Sequence, residues 1–574
     1  MNWAQLDDLL AQLTQVENIY KAYKFYRIQY FARRRPLFVK LRTFSLLFVF
    51  GLAVATLVSF FQNSPGYMDA DYYMAGGQRL ADGHGFQEML LWNYLDDPQG
   101  MPHPSNTYWM PLASLLAMAG MLVSGMHNFY GGRLAFILLA GLVPPATFTL
   151  ARTLTPNKRI AWLAALLAVF PGFYLPFLAT SDTFAASMLL GAAFLGIVNR
   201  LGISTSQVLS RWRQAVLWTV LGVIAGLMHL ARVDGLLWVG LAGLVALSLE
   251  SLQARRLNLS RDLFGRLLWV VLGYLIIMGP WILRTLALFG VPFSPGGGRM
   301  LWITGYNELY IYPASTLTFS RWLQQGLGAI LQGRLAALGQ NLTTLFAVQG
   351  EIFLAPLILL GLWRTRRLAV VQLGLLAYAL IFTLMTLVFP FAGSRGGLLH
   401  SGAALQPLFW ILAAFGLEAF LSWGVSRRKW VPQQAGIVFA TGLVMLSLLV
   451  SALIFYNRMF NPRPPQQPWD ADERLYGQVE ASLLQMGADS GEIVMVNNPP
   501  AYYLVSEQPA ISIPFGDLTV VLSVAKRYHA SFMVLEFNQL TGLDDLYANP
   551  GDRPGLHYLR TVDTARIYEF ENTQ

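Results

Sequence analysis

The sequence predicts an α-helical polytopic membrane protein that carries a small α/β domain after its last helix. Three observations support this. The chain has 574 residues, of which 55% are hydrophobic and only 12% charged. A soluble fold of that size could not bury so much apolar surface, whereas a bilayer can; mean hydropathy is +0.46. Apolar stretches of about 18–25 residues recur, the length a bilayer core demands. From residue 461 onward the pattern changes to short apolar runs separated by turn residues.

Residues 1–42 are polar and then basic (Arg33–Arg35, Lys40, Arg42). They read as a cytoplasmic segment without a cleavable signal, and the first apolar stretch reads as an uncleaved anchor. The apolar stretches fall near 43–62, 109–127, 131–151, 159–178, 183–199, 214–231, 235–250, 265–289, 343–363, 368–391, 402–425 and 434–456. Basic clusters at Arg152/Arg159, Arg200/Arg213, Arg255/Arg266, Arg364/Arg367 and Arg427/Lys429 alternate with loops poor in charge, as the positive-inside rule requires. Three crossings before residue 152 would put two basic loops on opposite sides. The stretch at 109–127, entered through Pro102, Pro104 and Pro111, is therefore expected not to cross fully. This gives about 11 transmembrane helices, with the N-terminus inside and the C-terminus outside; twelve crossings are the alternative. Residues 43–460 form the membrane domain, with a large first outer loop at 63–130.

The net charge of +9 is spread over short loops, a pattern of membrane orientation rather than of nucleic-acid binding. There is no cysteine, which excludes disulfides and thiolate metal sites. After a proline-rich linker at 461–465, residues 461–574 read as an extracytoplasmic α/β domain. A helix is expected at 472–487 and another at Leu518–Tyr528. Strands are expected at Glu492–Val496, Ala510–Ile513, Ser531–Leu535 and Ala565–Phe570.

The polar residues that break this scheme gather on one face. Asp69 and Asp71 follow the first apolar stretch, in Gly66-Tyr-Met-Asp-Ala-Asp-Tyr-Tyr73. A carboxylate so close to hydrocarbon is costly, so it more often binds something, moves protons or does chemistry than idles. On the same outer side the eleven-crossing scheme places Asp182, Arg232, Asp234, the long 290–342 connection, Arg395 and His400. Tyr73, Ala75 and Leu80 form one apolar stripe on a short helix, which Gly83 and Gly85 end.

The loop from Asp69 to Phe86, with its Pro-rich continuation Tyr108-Trp-Met-Pro111, resembles the first extracytoplasmic loop of GT-C fold glycosyltransferases. The resemblance is to the protein-mannosyltransferase and aminoarabinose-transferase-like branch. It continues in Gly279-Pro-Trp-Ile-Leu-Arg284 and Phe289-Gly-Val-Pro292, and covers most of residues 43–425. It implies an inverting hexosyl- or pentosyltransferase of the cell envelope. The donor would be a polyprenyl-phosphate sugar, used at the extracytoplasmic face, and the acceptor a lipid, glycan or protein. An aspartate would serve as general base and cations would steady the leaving phosphate. The branch usually has adjacent Asp-Glu, whereas here an alanine separates two aspartates. Which carboxylate is the base, and whether a divalent cation (Mg or Mn) takes part, stays open.

On this resemblance Asp69 is the expected base, a helix cap or solvated loop residue being the alternative, and Asp71 its support, as second acid, acceptor ligand or metal ligand. Arg395 in its glycine-rich break, with His400, is expected at the donor phosphate; an interfacial anchor is the alternative. Asp182 divides evenly between cap and site residue. His103, Asp97 and Arg284 are weaker substrate-binding candidates, Arg284 for phosphate; the alternative for His103 is a loop hydrogen-bonder and for Asp97 a turn before Pro98. Arg232 and Asp234 are expected chiefly to pair with each other. No strand precedes the glycines near residue 80, so they form no phosphate loop. A transporter or flippase of a lipid-linked or small polar substrate is the rival class, and it lacks the duplicated halves that transporters often show.

Overall fold

The computed structural model describes residues 37–204, 210–254, 260–462, 467–538, 540 and 542–571. Most of the expected cytoplasmic segment 1–42, the Arg255–Arg256 cluster and most of the 461–465 linker lie outside them. Among the described residues eight helices are long and apolar enough to cross a membrane. They are Leu41–Ser59, Phe129–Leu154, Phe184–Gly202, Arg211–Ala231, Arg261–Phe289, Ala369–Val388, Gly397–Arg428 and Pro432–Met459. The chain is a multi-pass membrane protein.

Of the four remaining apolar stretches, 235–250 falls on the single helix Leu237–Ala254, and the other three depart from single straight spans for identifiable reasons. Helix Leu112–Ser124 has 13 residues; it is about 20 Å long, against a hydrocarbon core of about 30 Å. Pro111 stands at its N-cap and Gly125, at φ 71°, ends it. The stretch at 159–178 is helical only over Lys158–Val169. Pro171 then ends the α-helix and a 3-10 turn follows over Gly172–Phe177. The stretch at 343–363 corrects our expectation of one continuous segment. A helix from Gly326 runs on through a wide π-turn at Thr344–Gln349, breaks, and restarts at Ala355. The break buries Glu351, whose Oε1 accepts from Trp410 Nε1 at 3.2 Å and whose Oε2 accepts from Ser447 Oγ at 3.3 Å. A buried carboxyl needs such partners.

Small residues let the membrane helices approach closely. Helices Ala355–Thr365 and Gln406–Arg428 cross where a Cβ on Gly361 would stand 1.8 Å from the Leu412 carbonyl oxygen, and one on Gly416 would stand 1.9 Å from that of Leu357.

Outside this bundle a six-stranded sheet has the order Leu90–Leu91, Ala510–Ser512, Ile493–Val496, Ala530–Leu535, Ala565–Phe570, Leu556–Val562. The first four strands run parallel and the last two add antiparallel. Helices Ala471–Gln485 and Leu518–Tyr528 accompany the sheet at the positions their periodicity indicates. The edge strand Leu90–Leu91 comes from the first outer loop, more than four hundred residues earlier in the chain. Segment 461–574 therefore does not close on itself: it is stitched to the loop that carries Asp69.

Candidate active site

The chain enters its first outer helix, Met68–Ala81, through Tyr67 in extended conformation, with Asp69 and Asp71 both in the first turn. Acidic residues there complement the exposed amides of a helix N-terminus. At about 100° per residue, two positions apart means about 200° around the helix, so the two carboxylates face nearly opposite ways.

Asp69 faces a cavity of about 620 Å³. Three other parts of the chain close it: the turn Arg232–Asp234 after helix Arg211–Ala231, the Tyr306–Tyr310 turn of the long outer connection, and the break that carries Arg395 and His400. Leu236, Leu384, Met385, Phe389 and Phe391 line its apolar side. Tyr73, Tyr108, Trp92 and Trp109 form an aromatic wall, the two tryptophans stacked at 3.9 Å between centroids. One polar end and one apolar side suit an amphipathic ligand.

Charge in the cavity is mixed and ordered. Burial pushes the Asp69 carboxyl up to about 6, and Asp182 adds to that, against the opposing pull of His400, Arg232 and Arg395. A carboxyl poised there is half-ionised at about pH 6 and mostly ionised at neutrality, where it can accept a proton. The Arg395 guanidinium lies 4.2 Å from the centroid of the Tyr306 ring. Among the described residues it has no carboxylate partner, so its donors remain available to a ligand. Arg232 Nε donates to Asp234 Oδ1 at 3.1 Å and to Ser401 Oγ at 3.2 Å. The expected pairing of Arg232 and Asp234 is therefore present, and both still line the cavity.

Behind this surface Asp182 holds His400. The imidazole stacks on Phe184 with centroids 4.4 Å apart, and its Nδ1 stands 3.4 Å from Asp182 Oδ1. Tyr67 Oη donates to Asp182 Oδ2 at 2.6 Å. Burial alone would raise the Asp182 carboxyl. The His400 charge, with hydrogen bonds from His400, Tyr67 and the Thr183 amide, outweighs it and holds the group below its ordinary value. Asp182 is 2% exposed and stands behind His400.

The other candidates from the sequence lie elsewhere. Asp71 faces away from the cavity and accepts from Asn498 Nδ2 at 3.0 Å. His103 is buried between Glu88 (3.4 Å) and Asp96 (3.2 Å). Although burial opposes it, hydrogen bonds to Asp96 and Glu88 push the imidazole up to about 9. It is an internal ion cluster that braces the loop. Asp97 pairs with Arg299 at 2.6 Å. Arg284 donates to the carbonyls of Phe86 and Ser105 at 3.0 and 2.8 Å and lies 4.5 Å from the Trp281 ring centroid, tying the loop to helix Arg261–Phe289. Sequence reasoning undervalued Arg232 and did not single out the aromatic wall; the doublets Tyr72-Tyr73 and Tyr108-Trp109 were the available signal. Among the described residues no three His, Asp or Glu side chains come together in a way that could hold a metal ion.

No protein-family model and no curated protein sequence matches the chain. Solved structures do match in fold. ArnT from Cupriavidus metallidurans bound to undecaprenyl phosphate aligns with a TM-score of 0.54 at 12% identity, covering 91% of this chain and 97% of that one. The same protein in the apo state gives 0.53 at 13% identity, with coverages of 92% and 98%. The apo oligosaccharyltransferase of Archaeoglobus fulgidus gives 0.50 at 12%, with 89% and 70%. The chain has the fold of the GT-C membrane glycosyltransferases.

Proposed function

We propose that this protein is a membrane glycosyltransferase that moves a sugar from a polyprenyl-phosphate donor to an acceptor at the extracytoplasmic face. The observation that carries the reading is the shared cavity: Asp69, Arg232, Arg395 and His400 meet at its polar end, beside an apolar side fit for a prenyl chain. Undecaprenyl phosphate bound to a protein of the same fold supports it.

In this reading Asp69 takes the proton of the acceptor hydroxyl. The acceptor oxygen attacks the anomeric carbon from the face opposite the phosphate. That carbon's bond to the phosphate oxygen breaks, and the electron pair leaves on the polyprenyl phosphate. A single displacement inverts the anomeric centre. Arg395 and Arg232 meet the charge that develops on the leaving group, with His400 held beside them by Asp182. The N-terminus then lies in the cytoplasm and the α/β domain outside.

The test is transfer in proteoliposomes supplied with a radiolabelled polyprenyl-phosphate sugar. Wild type should yield covalent product, and Asp69→Asn should yield almost none at equal folded amounts. Wild-type turnover by Asp69→Asn would remove the assignment. Movement of the donor without covalent transfer would favour a flippase.

A further inference from the structure

The far side of the Met68–Ala81 helix is held by the C-terminal segment. Asn498 Nδ2 donates one hydrogen bond to Asp71 Oδ2 at 3.0 Å and one to Asp472 Oδ2 at 2.8 Å. Its Oδ1 caps helix Pro499–Ser506 by accepting from the Ala501 amide at 3.3 Å. Its own backbone amide donates to Tyr476 Oη at 3.0 Å, and Tyr476 donates to Glu536 at 2.6 Å. Asp71 and Asn498 are 3% and 6% exposed. One neutral side chain thus joins the first turn of the Asp69 helix to two elements of the α/β domain.

A second grip acts just upstream. Asp470 accepts from the Asn63 and Ser64 amides at 3.2 and 3.0 Å and from the Ser64 hydroxyl at 2.9 Å. Trp469 Nε1 donates to the Ser64 carbonyl at 2.9 Å. The Trp469 ring fills the space beside Gly66, where a Cβ would stand 2.2 Å from it and where φ is +91°. The stretch that delivers Asp69 to the cavity is therefore gripped at both ends by residues 469–498.

We propose that Asn498 is a positioning residue for the transfer reaction, acting through Asp71 to fix the first turn of the Met68–Ala81 helix and the aim of Asp69. The α/β domain is then a working part of the active site. The proposal rests on the reading of Asp69 as base. An amide suits the position because it gives one N–H to each of two buried carboxylates that otherwise repel; a carboxylate there would crowd three acids together. A displacement of about 1 Å at a reacting group costs on the order of 100-fold in rate.

The experiment uses the full-length protein in nanodiscs, with Asn498→Ser and Asn498→Asp. Serine keeps a good helix cap but is too short to reach both carboxylates. Asn498→Ser should lower kcat about 10- to 100-fold and leave donor KM within about threefold, with Asn498→Asp worse at pH 7.5. Amide exchange should rise across residues 66–73 and stay unchanged in helix Leu41–Ser59. The pH midpoint of kcat/KM should fall as water reaches Asp69, whose charged neighbours His400, Asp182, Arg232 and Arg395 are untouched. Wild-type kcat in Asn498→Ser with unchanged exchange at 66–73 overturns the proposal. So does activity lost only in proportion to unfolded protein, with the midpoint in place. Amide exchange reads no chemistry, so failure of the reading of Asp69 as base shows separately, as full turnover in Asp69→Asn.

Discussion

The environment of Asp69 sets a pH dependence that an exposed aspartate would not show. Its carboxyl is pushed up to about 6 by burial. With one proton to lose, about a tenth of molecules carry the ionised base at pH 5, half at pH 6 and about nine-tenths at pH 7. The sign follows from the role: the base works deprotonated, so kcat/KM should rise with pH, about tenfold from pH 5 to pH 7. A carboxyl at its ordinary value of about 3.9 would be almost fully ionised throughout and give a flat profile. A phosphodiester donor contributes no titration in this window. The assay is the initial rate of sugar transfer at limiting donor in overlapping buffers, with recovery checked by return to pH 7. His400→Gln removes one of the charges that oppose the shift, and should move the midpoint above 6 while lowering the plateau. A flat profile from pH 5 to pH 7.5, or a midpoint unmoved in His400→Gln, would refute the reasoning.

Other expectations follow from the same geometry. Arg395→Ala should lower kcat/KM about 100- to 1000-fold, and Arg395→Lys should recover only part of that, because lysine lacks the planar fork; equal activity of the lysine variant and wild type would count against a bidentate phosphate contact. His103, raised to about 9, should add stability that is fully present below about pH 6.5 and is lost as pH rises through 9. The size is up to about 3 kcal/mol, and melting curves of wild type and His103→Gln should converge by pH 10. At the helix crossing, Gly416→Ala drives a methyl against the Leu357 carbonyl and should cost about 1–3 kcal/mol. Gly436→Ala, with open space around it, should leave the melting temperature unchanged or raise it.

Much of the architecture was legible because hydrocarbon imposes one length and one composition. Stretches such as 214–231 and 434–456 emerge as helices Arg211–Ala231 and Pro432–Met459. In the C-terminal segment, helix Leu518–Tyr528 and strand Ala565–Phe570 follow directly from their periodicity. What sequence could not give was pairing across distance. Nothing local marks Leu90–Leu91 as the edge strand of a sheet built from residues 493–570, nor Glu351 as the partner of Trp410 that breaks a helix. At the site, the clustering of Asp69, Arg395 and His400 could be inferred from loop orientation alone. The separation of Asp71 from Asp69 could not be inferred until a helix start at Met68 fixed the angle between them. His103 and Arg284 lie away from the cavity, and sequence could not foresee it because an internal ion pair or a clamp on backbone carbonyls draws on the same residue types as a ligand contact.

The most direct test of the account is a structure of the protein with a non-transferable polyprenyl-phosphate sugar. The account places the phosphate between Arg395 and Arg232, the prenyl chain along Leu384 and Phe389, and the anomeric carbon on the Asp69 side of the cavity. A phosphate bound away from both arginines, or a sugar with its anomeric carbon turned from Asp69, would contradict it.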